Sequence, residues 1–133
     1  MKTNRILFFA LLAAISFSAC KDDDEPTVQQ RLQGVWTFEK TIDHDVDGAL
    51  DLRDTTYGVS GDYVDFRSDN KVYSRYAGLN YDTSNYSIVG SDKLVLDGDT
   101  LTIQSLTNNS AQFYSRVDSS ATEYSESWIY LKK

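Results

Sequence analysis

The chain has 133 residues, 41% hydrophobic and 25% charged, which suits one domain with its own core and is too little for two catalytic domains. Its 20 acidic residues outnumber the 13 Lys and Arg, and all 20 lie after position 20. Such a surface repels phosphate backbones and anionic headgroups, which argues against nucleic acid and against a polybasic membrane patch. One His and one Cys leave little for nucleophilic catalysis or a zinc site.

Lys2 and Arg5 precede a mostly apolar run over 6–17. At about a dozen residues the run is too short to span a bilayer, which takes roughly 20. It ends Phe17-Ser18-Ala19-Cys20, with small residues before the only cysteine. These residues resemble the lipobox of bacterial lipoproteins, in which the cysteine is lipidated and becomes the mature N-terminus. The resemblance implies a signal peptide over 1–19, covalent lipid (palmitate) on Cys20 and membrane anchorage through that lipid. Lys21-Asp22-Asp23-Asp24-Glu25-Pro26 follows, and its adjacent carboxylates repel one another and stay solvated, giving an acidic tether over 20–30. A lysine followed by acids is also similar to the surface-export signal of Bacteroidetes lipoproteins, which implies an outer-membrane protein exposed on the cell surface. With Cys20 acylated no thiol remains for a disulfide, so the domain over 31–133 relies on its core.

Residues 27–33 predict one helical turn. Beyond them Tyr, Thr, Val and Ile dominate and turn residues recur at short intervals. Eight strands are expected, over 35–42, 62–67, 71–76, 82–89, 93–96, 100–106, 111–117 and 124–132. Ser68-Asp69-Asn70, Gly90-Ser91-Asp92, Asp97-Gly98-Asp99 and Asn108-Asn109-Ser110 supply the connections, since these residues tolerate the positive φ of tight hairpins. Leu101 and Ile103, Ala111 and Phe113, and Val64 and Phe66 each alternate with polar neighbours, the mark of antiparallel strands with one dry face. Short up-and-down connections favour closure into a small all-β barrel, which removes sheet edges; a two-sheet sandwich is the alternative.

The first strand opens Gly34-Val35-Trp36, which resembles the Gly-x-Trp start of lipocalins. Asp65-Phe66-Arg67-Ser68-Asp69-Asn70-Lys71-Val72, Tyr86-Ser87-Ile88-Val89-Gly90 and the stretch over 101–107 are similar to segments of the small bacterial lipocalin-like lipoproteins. The resemblance spans roughly residues 30–131 and implies a barrel with Trp36 packed at its closed end. The arginine that stacks on this Trp in lipocalins has no counterpart in the last strand, which leaves Lys132 for a cation–π contact. Trp36, Phe38, Phe66, Phe113 and Trp128 are bulky enough to fill much of an eight-stranded interior, so a filled barrel is favoured over a roomy one.

Residues 43–54 read Asp43-His44-Asp45-Val46-Asp47-Gly48-Ala49-Leu50-Asp51-Leu52-Arg53-Asp54. Laid on the twelve-residue calcium loop, Asp43, Asp45, Asp47, Asp51 and Asp54 take the carboxylate positions, Gly48 the sharp turn and Ala49 the carbonyl position. Leu50 would anchor the loop on the core, and His44 would point outward. The competing reading is a solvated acidic turn. The calcium reading makes 43–61 a loop that a bound ion stiffens.

Nine tyrosines lie among Ser, Asn and Asp, a composition suited to β-structure and also to adaptable recognition surfaces. Tyr73 and Tyr114 share outward parity with Arg75 and Arg116 and are the candidates for an exposed patch. No acid–base cluster or nucleophile motif stands out. The sequence therefore points to a non-catalytic, surface-anchored binding module facing a protein or glycan partner. The alternatives are a carrier of a small apolar ligand and a small hydrolase.

Overall fold

The computed structural model describes residues 25–76, 78 and 81–133; the expected signal peptide and Cys20 lie outside the described residues. A short helix, α1 (Val28–Leu32), comes first, overlapping the expected tether at 28–30. Its start is fixed by a capping box: the Thr27 hydroxyl accepts from the Gln30 amide while the Gln30 side chain accepts from that of Thr27.

Nine strands follow: β1 (Gly34–Asp47), β2 (Leu50–Tyr57), β3 (Tyr63–Phe66), β4 (Lys71–Arg75), β5 (Asp82–Val89), β6 (Lys93–Leu96), β7 (Asp99–Leu106), β8 (Ser110–Asp118) and β9 (Glu123–Lys132). From β3 to β9 each strand pairs antiparallel with the next. β1 pairs with β9 on one edge and with β3 on the other, which closes an eight-stranded antiparallel barrel consistent with a lipocalin-like fold. Among the described residues this ladder is the one sheet, which leaves no place for the sandwich alternative.

β2 is the strand that the sequence reading did not include. β1 pairs with β3 over Gly34–Thr37 and then, on the same edge, with β2 from Lys40 onward. The change of partner coincides with a bulge at Glu39, where the register against β9 slips between Phe38 and Lys40. A bulge adds local twist, so the strand bends away as its first partner ends. Gly58 receives the chain back from β2 directly against Phe38, and its amide donates to the Glu39 carbonyl at 2.9 Å. The buried Asp62 then pins the turn, accepting from the Val59 amide at 2.9 Å and the Gly78 amide at 3.0 Å.

α1 plugs one end of the barrel. Leu32 and Trp36 have no surface in water, and the Trp36 indole N–H donates to the Leu32 carbonyl at 2.6 Å. Trp36 thus sits at the closed end, as its motif implied. The cation over its ring is Lys133, with Nζ 4.4 Å from the centroid, and not Lys132, which is exposed. Lys133 also donates to the Gln33 carbonyl at 3.1 Å, tying the chain's last residue to the end of α1. Above this plug Phe66, Tyr86, Leu94, Leu101, Phe113 and Leu131 form the core. Trp128 is not among them. It lies opposite Ile42 and Tyr114 on the outer face, whereas its neighbours Ile129 and Leu131 face inward.

Candidate functional site

The interior is filled only in its lower part. Above Phe66, Phe113 and Leu131 lies a cavity of about 360 Å³, walled by apolar side chains that include Phe38, Val64, Val72 and Ile129. The expectation of a filled barrel is corrected here: Trp128 points outward and the residues in its place are smaller. Polar groups line the cavity toward the end away from α1, namely Thr41, Asp43, Ser74, Tyr76 and Ser84. Alternation puts them there. Phe38, Thr41 and Asp43 lie on the inner face of β1 once the bulge is counted, and Val72 and Ser74 on that of β4. The volume lies within the roughly 300–1,000 Å³ of small-molecule sites, at the low end. Sequence reading did not single out Ser74, Tyr76 or Ser84; the alternation of Val72, Ser74 and Tyr76 was the available signal.

On one side the wall rises past the cavity. β1, at 14 residues, is about 45 Å long, and β2, β8 and β9 extend with it, whereas β3 and β4 have 4 and 5 residues. Asp43 lies opposite Ser127 of β9 and Asp54 of β2, and the Ser127 hydroxyl donates to its Oδ1. Two residues further on, Ser125 donates to Asp45, and Asp47 stands opposite Glu123. The inner face of this wall carries carboxylates, hydroxyls and the exposed Leu50 and Leu52 and, among the described residues, no basic side chain.

The residues expected to wrap one ion lie on a ladder. Residues 43–54 are a β-hairpin, with Asp47 opposite Leu50 and a two-residue turn at Gly48 and Ala49, Gly48 having φ 59°. A pleated strand sends alternate side chains to opposite faces, so Asp43, Asp45, Asp47 and Asp54 share the inner face and Asp51 lies on the outer one. Asp51 instead lies against His44, its Oδ1 2.8 Å from Nε2. Ala49 is an exposed turn residue, and Leu50, expected to reach the core, is 58% exposed. Among the described residues no group of three His, Cys, Asp or Glu side chains stands close enough together to hold a metal.

The outer face of the same wall is a packed network. Glu126 Oε1 accepts from the Tyr114 hydroxyl at 2.7 Å and Arg116 Nη1 at 3.0 Å, and its Oε2 lies 3.2 Å from His44 Nδ1. The Tyr114 hydroxyl, then His44 and Arg116, hold the Glu126 carboxyl below the usual glutamate range despite its partial burial. The same contact pushes the Tyr114 phenol up. Cations cover the neighbouring rings: Arg116 over Tyr124, Arg53 over Trp128 and Lys40 over Tyr130. Tyr114 belongs to this network, its ring 5.3 Å from that of Trp128. Tyr73 is elsewhere. It lies on β4 under the Arg67 guanidinium, and the neighbours of β4 are β3 and β5, so the two tyrosines form no common patch.

No protein-family model and no curated protein matches this chain. The fold and cavity define a lipocalin-like β-barrel, closed at one end by α1 and bearing a ligand-sized cavity toward the other.

Proposed function

We propose that this protein is a lipid-anchored, non-catalytic carrier that holds a small ligand in the upper part of its barrel. The observation that carries this is the cavity of about 360 Å³, apolar in its walls and polar toward one end. It favours the carrier over a module working only through its outer face, where cations already cover Tyr124, Trp128 and Tyr130. Binding rather than catalysis is supported by the lining, in which Asp43 is the only charged residue among those described. Native mass spectrometry of the detergent-extracted protein from its source should show a retained small molecule. N-phenyl-1-naphthylamine, a neutral fluorescent probe, should bind saturably to the emptied protein. Ser74→Trp, which projects a ring into the cavity, should abolish that signal. No retained mass and no saturable probe binding would overturn the proposal.

Cys20 as the lipid attachment site, with the protein on the outer membrane and at the cell surface, belongs to the same proposal and rests on the resemblance of 17–20 and 21–25 to export signals. Several acyl chains at about 0.8 kcal/mol per buried CH₂ give stable anchoring. Cys20→Ser should release the protein into the soluble fraction, and unchanged membrane retention would refute the anchor. A calcium ion enters as a stabiliser of the hairpin, supported by the shared face of Asp43, Asp45, Asp47 and Asp54. Calorimetric titration should detect uptake below about 10 mM, above the range of weak extracellular sites. No uptake at that concentration removes calcium from the proposal.

A further inference from the structure

We infer that the ligand of the barrel is a small amine, an apolar body bearing one protonated nitrogen that Asp43 receives. The inference rests on the carrier reading and assigns the chemical class of its ligand.

Among the described residues lining the cavity, Asp43 is the only one with a charged side chain. Its Oδ1 accepts from Ser127, and among the described residues no Lys, Arg or His forms an ion pair with it. A carboxylate at the edge of an apolar cavity and without a countercharge favours a cationic guest over a neutral or anionic one. The surroundings keep the sign. Opposite Asp43 on the inner face stands Asp54, and above it come Asp45 and Asp47, paired with Leu52 and Leu50 on β2, with Glu123 opposite Asp47 on β9. The basic groups of the same wall lie on its outer face and are occupied: Lys40 on Tyr130, Arg53 on Trp128, and His44 between Asp51 and Glu126. A fatty-acid-like anion would meet carboxylates and no basic group along this face, while a cation is drawn toward the mouth.

The lining also sets how the guest lies. Phe66, Leu94, Phe113 and Leu131 take the apolar body, and the nitrogen stays level with Asp43 toward the open end. Phe38 and Tyr76, edge to face with centroids 4.4 Å apart, line the same cavity and offer aromatic surface to a cation. The guest is small, since a cavity near the low end of ligand-sized volumes does not take a long chain.

The test uses three probes of one shape, 4-phenylbutylamine, 4-phenylbutan-1-ol and 4-phenylbutyrate, titrated at pH 7 into the emptied full-length protein in detergent and calcium-free buffer. The amine should bind about 10- to 100-fold more tightly than the alcohol, the range of a hydrogen bond to a charged group, and the acid most weakly. Asp43→Asn keeps an acceptor for Ser127 and should erase the difference between amine and alcohol. Equal binding of amine and alcohol by the unaltered protein overturns the inference without any variant, and leaves the carrier reading standing. So does a preference for the acid, or an amine preference that survives Asp43→Asn. If none of the three binds, the inference falls, and the retained mass and the N-phenyl-1-naphthylamine signal decide the carrier reading separately.

Discussion

Truncation of Trp36 is the sharpest perturbation of the closed end. The ring has none of its surface in water, donates to Leu32 at 2.6 Å and lies under Lys133. A buried Trp hides roughly 200 Å² of surface, which at about 25 cal/mol per Å² is about 5 kcal/mol. That figure is an upper estimate because the unfolded chain already hides part of the ring. Partial collapse of the site against the added cavity cost leaves about 3–5 kcal/mol for Trp36→Ala. Against a total of about 5–15 kcal/mol, that is a large share of the stability. Trp36→Phe keeps most of the packing and removes the donor to a buried carbonyl, for about 1–3 kcal/mol. Lys133→Ala removes an exposed cation–π contact, for about 0.5–1 kcal/mol. Urea midpoints read by far-ultraviolet circular dichroism should fall in that order, with the alanine variant melting at least about 12 °C below the parent. Coincident midpoints for Trp36→Ala and parent would refute the assignment of Trp36 to the plug.

Two further outcomes test the turn and the outer network. A Cβ at Gly58 would collide with the Phe38 carbonyl, so Gly58→Ala should destabilise by about 1–3 kcal/mol in thermal melts, and a neutral effect would mean that β1 and the return from β2 are not in contact. Glu126 is held below the ordinary glutamate value, first by the Tyr114 hydroxyl. A lowered folded pKa contributes stability that is complete above the unfolded value of about 4.3 and is lost as pH falls through the folded one. Tyr114→Phe should therefore cost most at neutral pH, and the gap in urea midpoints should narrow toward about pH 2. A gap that does not change with pH would refute the role given to Tyr114.

Most of the barrel was legible because its core strands alternate cleanly: Val64 with Phe66, Leu101 with Ile103, Ala111 with Phe113. The hairpin of β1 and β2 was not. Asp43, Asp45 and Asp47 alternate with His44 and Val46, so neither face reads as apolar and no period of two in hydrophobicity marks a strand. Asp47-Gly48 is nonetheless a strong two-residue turn signal, and Leu50 and Leu52 alternate beyond it, though both are more than half exposed. Spacing alone fits both an ion loop and a ladder; backbone pairing with β9 over the same residues decides for the ladder. The parity of β9 was equally hidden. Trp128-Ile129-Tyr130-Leu131 is apolar throughout, so either face could have been the inner one. The register against β8 settles it, placing Ile129 opposite the buried Phe113 and Trp128 opposite Tyr114.

The position of the mouth follows from where three adjacent strands change character. Along the inner face of β9, Leu131 and Ile129 give way to Ser127 and Ser125. Along β1, Phe38 and Thr41 give way to Asp43 and Asp45; along β8, Phe113 gives way to Ser115. Ser115, Ser127 and Asp43 face one another across the ladders, so the change comes at one level of the wall. Burying an unpaired carboxylate in an apolar interior is costly, so this level marks the depth to which water reaches. Below it apolar side chains converge from all sides. Above it the short strands β3 and β4 have ended, and β2 occupies the edge of β1 that β3 has left. Asp43 stands at that boundary, in the apolar cavity and at the foot of the carboxylate-bearing wall. A strand pattern that fills one end of a barrel with aromatic rings and sets Asp43 in the lining toward the other leaves room for a guest and fixes which end of it carries the charge.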